Sequence, residues 1–358
     1  MKKKRLKWLI PLLVLVALSA AFFGASRGVT KNILCQTAAE RWTGESGEGF
    51  AQLSVFMSGD DSLKLDGVYT FRQALAKKFV ESSLEAPEGG SLYHDAWSST
   101  GKVKAYNGSA GGDISVIAVG GDYFFFHPIT LLSGSYISED DVMDDRVLLD
   151  RELAWKLFGG TDLTGLSVEI NGKPFYVAGV IDRETDKASQ KAYTGGSGLY
   201  MSYAAYNALM GEKGAPIDCY EIVMAQPVDG FAEDIMKNTF PIGSGDLINN
   251  SGRFSVGSIF KVIKSYGTRS MHQTSVIYPY WENAARYVED WSALYLALAV
   301  VFIILPAIAA FVMLIIFLIR GKDYLEDKVP EWTDDAIDKI RKKQYDKRRR
   351  GGAHAAKK

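Results

Sequence analysis

Residues 117–181 read IAVGGDYFFFHPITLLSGSYISEDDVMDDRVLLDRELAWKLFGGTDLTGLSVEINGKPFYVAGVI, and the local signals in this stretch decide the fold class. Strand-like apolar patterning runs through Val147, Leu148 and Leu149, through residues 167–170 and through residues 174–180, with Asn171-Gly172 between the last two as a tight hairpin turn. Between the first two strands the spacing predicts a short helix over residues 151–158, stopped by Gly159-Gly160.

This order of elements closely resembles the extracytoplasmic core domain of the MacB/FtsX superfamily of ABC-transporter permeases. Five pieces carry the resemblance: Asp122-Tyr123-Phe124, the Leu-Ser-Gly-Ser-Tyr turn at 132–136, the VLLD…LAWKLFG segment at 147–159, DLTG at 162–165 and FYVAGVI at 175–181. The resemblance implies an α+β fold class: a membrane-anchored, MacB-like core domain held between two transmembrane helices, with a porter-like α/β subdomain interrupted by a mostly β insertion. It further implies a non-catalytic permease-like subunit whose outer domain moves with ATP-driven rearrangement of the membrane helices. The partners it implies are an ABC ATPase subunit and further permease subunits. A full permease of this type has four membrane helices, so the two found here point to a split or reduced two-helix form.

Length and charge agree with a chain of this kind. The 358 residues are enough for one large or two modest domains. A net charge of −1 argues against a nucleic-acid binder, although basic ends flank a more acidic middle. Cys35 and Cys219 are too few for a disulfide scaffold, and neither spacing nor geometry settles from sequence whether they bond to each other.

In chain order, residues 1–7 are basic and residues 8–25 almost wholly apolar, a run of about 18 that reaches the lower end of what spans a bilayer. A cleaved secretory signal is the competing reading, with Ser19, Ala20 and Ala21 as small residues before a cut. The resemblance favours a retained anchor. Residues 27–42 read as a helix leaving the membrane, residues 50–57 as a strand, and residues 68–84 as a helix presenting Val68, Phe71, Leu75, Phe79 and Val80 on one face. Residues 85–101 read as a turn region, with another strand beginning at 103–105. Residues 182–198 read as a polar loop, followed by a strand at 199–202 and a helix at 203–210. Residues 218–225 form a further strand and residues 230–238 a helix packing through Phe231, Ile235 and Met236, while the strands within 241–279 stay unplaced.

Three local clusters invite functional readings. Ser138-Glu139-Asp140-Asp141 followed by Asp144-Asp145 offers the carboxylates a calcium ion wants, but Ser138 with Asp141 three residues on fits a helix N-cap better. Phe124, Phe125 and Phe126 with His127 read first as core or partner surface and second as an aromatic ligand pocket. His94, His127, His272 and His354 lack metal-ligand spacing. There is no GxxxxGK[ST] phosphate loop, no GxSxG elbow and no nucleophile with its base, so no catalytic, cofactor-binding or metal-ligating residue is assigned.

Residues 281–290 carry the most useful pattern. Trp281, Ala284, Ala285 and Val288 fall at i, i+3, i+4 and i+7, with Glu282, Asn283, Arg286, Glu289 and Asp290 on the other faces. These four apolar residues are the candidate coupling stalk, because the pattern runs straight into residues 291–319, an uncharged run of about 29. Trp291 and Tyr295 suit the outer interface, Arg320 and Lys322 the inner one, and the basic tail suits the cytoplasm and anionic lipid rather than nucleic acid. The expected partition is therefore 1–26 for the cytoplasmic N-terminus and first helix, 27–290 for the core domain, 291–319 for the second helix and 320–358 for a basic cytoplasmic tail. The alternative function is a membrane-anchored binding or scaffold protein, or a regulator of an envelope enzyme.

Overall fold

The computed structural model describes residues 2–31, 33–43, 49–57, 63–86, 90–139, 141, 143–193, 198–269 and 276–355. The chain divides into two units, Ala25–Leu296 and the paired segments Met1–Gly24 and Ala297–Lys358. In chain order the elements are α1 (Lys2–Val29), α2 (Ala38–Thr43), β1 (Phe50–Phe56), α3 (Leu65–Glu81), β2 (Tyr93–Asn107), β3 (Ala110–Gly121) and α4 (Tyr123–Phe126). There follow β4 (Thr130–Gly134), β5 (Arg146–Asp150), α5 (Arg151–Phe158), β6 (Ser167–Ile170), β7 (Lys173–Asp182), α6 (Lys187–Ala192), β8 (Gly198–Ser202) and α7 (Tyr203–Met210). The last are β9 (Cys219–Ala225), α8 (Phe231–Thr239), β10 (Asp246–Asn249), α9 (Val256–Arg269) and α10 (Tyr280–Ala355).

The larger unit is built on a layer with strand order β10-β1-β9-β2, every neighbouring pair antiparallel. Because α3 joins β1 to β2 and α8 joins β9 to β10, each connection skips over one strand, which is the split βαβ arrangement. Val68, Phe71, Leu75 and Phe79 of α3 and Ala232, Ile235 and Met236 of α8 pack on one face, against Leu53, Val55, Tyr220 and Ile222. The other face, through Phe56, Cys219 and Val223, is covered by Ala38 and Ala39 of α2 and by Trp281. Covered on both sides, β9 is buried along its whole length.

The insertion between β2 and β9 is a small barrel. The first half of β2 pairs with β9, from Tyr93 to Ser98, while its far end turns away to pair Ala105 and Tyr106 with β6. From there β2-β3-β8-β5-β7-β6 returns to β2, a closed circuit without free edges. Helix α5 packs against β2, β3, β5, β7 and β8 through Leu153, Ala154 and Leu157. Its end is fixed as the sequence predicts, with Gly159 at the left-handed φ of 76°, and its start is fixed by the Asp150 carboxylate, which accepts from the Leu153 amide at 2.7 Å. Asn171 and Gly172 have φ of 49° and 81°, the two positive angles that a two-residue hairpin demands.

Several expectations need correction. The region read as a turn at 85–101 is largely strand: β2 runs 15 residues, its Ser98-Ser99-Thr100-Gly101 stretch pairs with residues 116–119 of β3, and Gly101 sits under the Tyr206 hydroxyl, where a Cβ would approach to 2.0 Å. The helix expected over 27–42 ends at Val29 and resumes only at Ala38. Val80 is exposed rather than on the packed face of α3. The polar loop 182–198 contains α6, started by the Asp186 carboxylate accepting from the Ala188 and Ser189 amides at 2.9 Å. Ser138 caps no helix, since its amide donates to Asp141 Oδ2 at 3.1 Å in a simple turn before β5. Asp140 lies outside the described residues. The unplaced interval 241–279 supplies β10 and α9. Both cysteines are free thiols.

The smaller unit holds most of α1 and the greater part of α10. Residues 10–29 and the apolar part of α10 are long and apolar enough to cross a membrane, with mean hydropathies of 1.9 and 3.2. Within the unit the Ser19 hydroxyl donates to the Ala299 carbonyl at 2.8 Å, and the Phe22 and Phe302 rings stack at 5.5 Å.

Candidate coupling site

The candidate stalk residues all lie in the first turns of α10, and all four are buried, with Trp281 and Ala284 each 1% exposed, Ala285 fully buried and Val288 4% exposed. Ala284, Ala285 and Val288 form one cluster with Ile33 and with Ala188 of α6. Trp281 belongs to the neighbouring aromatic cluster, its ring edge-on to His127 at 4.6 Å, with Tyr123 at 6.1 Å. Two turns further, Ala293 and Leu296 pack on Ile259 and Val262 of α9. The Ser26 and Ser292 hydroxyls meet at 2.8 Å. These first turns of α10 are therefore an internal helix of the larger unit, clamped along their length.

The charged residues on the other faces are where the structure adds what the sequence pattern does not show. Glu282 is fully buried and Glu289 only 6% exposed, because both carboxylates close on Arg253, from the segment between β10 and α9. Arg253 Nη1 and Nη2 donate to the two oxygens of Glu282 at 2.7 and 2.8 Å, and Nε donates to Glu289 at 2.6 Å. Nη1 also reaches the Gln36 and Asn250 side-chain oxygens at 3.1 and 3.2 Å. Arg286 adds a second cation, donating to Glu282 at 2.7 Å and lying 3.5 Å from Asp246.

Burial opposes charge on Arg253, but the Glu282 and Glu289 carboxylates beside it outweigh the burial and raise its pKa above the ordinary arginine value. The same balance raises Arg286. With its donors engaged by four side chains from three parts of the chain, Arg253 has no capacity left for a ligand, and its chemistry here is fixation rather than recognition. Glu282, Arg286 and Glu289 at i, i+4 and i+7 form one stripe in the sequence, a sign that they share a face. Nothing comparable marks Arg253.

Beside Trp281 lies a second buried polar pair, His127 Nε2 and Glu221 Oε2 at 2.5 Å, with the Ser54 hydroxyl donating to Glu221 Oε1 at 3.3 Å. The aromatic run 124–126 next to His127 is split: Phe126 is core, and Phe124 and Phe125 are half-buried around it. An open cleft of about 480 Å³ between Lys31, Cys35, His127, Arg183, Glu184 and Asp186 borders this region. Among the described residues, no group of three or more His, Cys, Asp or Glu side chains is placed to hold a metal ion.

The chain is similar to the periplasmic region of MacB from Actinobacillus actinomycetemcomitans, with 16% identity and a TM-score of 0.42, covering 68% of this chain and all of that one. It is also similar to the extracellular domain of the noncanonical ABC-type transporter YknZ from Gram-positive bacteria, with 14% identity and a TM-score of 0.37, covering 52% of this chain and 92% of that one. No curated protein matches it. The profile of the MacB-like periplasmic core domain matches residues 16–232, more than half of the chain. With a match of that extent over the layer and the barrel, the chain belongs to the MacB-like periplasmic core domain family, that of MacB/FtsX-like ABC transporter permeases.

Proposed function

We propose that this chain is a non-catalytic, permease-like subunit of an ABC transporter complex, whose outer domain follows ATP-driven movement of its membrane helices. The observation that carries the reading is the burial of Trp281, Ala284, Ala285 and Val288: the helix that contains the apolar membrane-length run begins as a packed element of the outer domain. A helix transmits displacement along its axis, whereas a flexible linker absorbs it. In this reading residues 27–290 are extracytoplasmic, residues 1–26 and 291–319 supply two membrane helices, and 320–358 form the cytoplasmic tail. An ABC ATPase subunit and further permease subunits provide the nucleotide chemistry and the rest of the path.

Topology is checked with cysteines introduced at Lys104, Lys187 and Lys342. The first two should react with an impermeant reagent on intact cells and the third should not; labelling at Lys342 overturns the arrangement with both ends inside.

Coupling is checked by replacing Ala284-Ala285 with Gly-Gly. The loss of helix propensity is about 1 kcal/mol per residue, small enough for the variant to fold and bind its partners. The expected result is loss of the ATP-dependent distance change between a probe at Lys187 and one near Arg320. An unchanged response in the Gly-Gly variant counts against a rigid stalk. No response in the wild type with every purified partner present favours the scaffold reading.

A further inference from the structure

Beyond the apolar run, α10 continues as a helix whose described side chains, from Lys322 to Lys343, are almost all exposed. Leu325, Val329, Trp332, Ala336 and Ile340 follow one another at i, i+4, i+7, i+11 and i+15, a single apolar stripe along one face. Its four large members are each about half exposed, and among the described residues no hydrophobic cluster includes any of them. Pro330 sits inside this helix and removes one of its backbone hydrogen bonds, so local propensity does not favour a solitary helix here.

Charge narrows what covers the stripe. Residues 323–338 carry seven acids and one base, whereas residues 339–350 carry eight bases and one acid. The one base of the first part, Lys328, is paired with Glu331 on its own helix. An anionic lipid surface would repel the acidic half that carries most of the stripe. A second copy, leaving the membrane in the same direction, would set acid against acid and base against base along a parallel pair. An apolar groove bordered by lysine and arginine satisfies both the stripe and its acidic flanks.

We infer that residues 325–340 are a docking helix for a protein that presents an apolar groove with a basic rim. The inference takes from the proposed function only the two-span topology. A groove on a protein with no nucleotide site would keep the inference and count against the ATP-coupled reading.

The test uses the full chain in its own membranes, with a photo-crosslinking residue in place of Val329 or Ala336 on the stripe, or of Asp334 on the opposite face. The expected result is crosslinking from the stripe but not from position 334, to one protein whose labelled peptide holds apolar residues flanked by lysine or arginine. Adding Trp332→Lys, or Glu326→Lys with Asp335→Lys, should reduce the product at least about tenfold, as expected when an aromatic anchor or its charge complement is lost. Products with a second copy or with phospholipid overturn the inference, as does equal labelling from both faces or an acidic labelled groove.

Discussion

Arg253→Met is expected to destabilise the outer domain by about 3–5 kcal/mol, because it strands two carboxylates in a site made for their counter-ion. Glu282 is fully buried and Glu289 nearly so, and each loses the Arg253 cation, at 2.7 and 2.6 Å. Arg286 is partly exposed and holds only one oxygen of Glu282, so it offsets part of the loss. Thermal unfolding of the full chain in detergent should show a fall in Tm on the order of 10 °C for the larger unit. The variant Arg253→Met with Glu282→Leu and Glu289→Met should recover a good part of this, since apolar packing often replaces a buried ion cluster at little cost. A single variant within about 1 kcal/mol of wild type would show that the cluster is not integral to the fold.

The second large effect is expected at Trp281, the largest of the fully buried side chains. Truncation to Ala removes the ring that touches His127, Tyr123 and Tyr280 and leaves a void between the sheet and α10, at a cost of about 3–5 kcal/mol. Trp281→Phe refills part of that space and should lose less. Trp155, on the exposed face of α5, is the matched control, and its change to Ala should stay within about 0.5 kcal/mol. Urea unfolding followed by circular dichroism measures all three. If Trp281→Ala behaves like Trp155→Ala, the first turns of α10 are not fastened to the domain, and the rigid-stalk reading loses its basis.

The parts of this fold that were legible in the sequence are those whose signals are local. The Asn171-Gly172 hairpin, α5 with its stop at Gly159, and Val68, Phe71, Leu75 and Phe79 on the packed face of α3 each follow from a few neighbouring residues. The seam where β2 leaves the layer for the barrel was not legible. Polar residues at Ser98, Ser99 and Thr100 look like a loop until Asp218, distant in sequence, accepts the Thr100 amide and hydroxyl at 2.8 and 3.0 Å. In the candidate site the i, i+3, i+4, i+7 spacing of Trp281, Ala284, Ala285 and Val288 is legible as one apolar face of a helix, and all four residues are buried. The burial of Glu282 and Glu289 on its other faces is not legible, because the partner that buries them, Arg253, lies in a Gly- and Ser-rich interval without periodicity. A buried ion cluster needs its members from different segments, and a single segment shows only half of it.

The division of labour along β2 also orders events in time. The barrel draws its strands from residues 93–202, so every pairing that closes it can form once that much chain exists. The layer is different: Tyr93 pairs with Met224, and Leu53 pairs with Asn249. During synthesis β1 therefore waits for β9 and β10 with both backbone edges unpaired, while the later-made barrel has all its strands. Contacts of such long sequence separation carry a large loop-closure entropy and form slowly. The span from residue 50 to residue 249 is thus the interval over which the nascent chain depends on being held apart from other chains, and the barrel in its middle shortens the loop that the final pairing has to close.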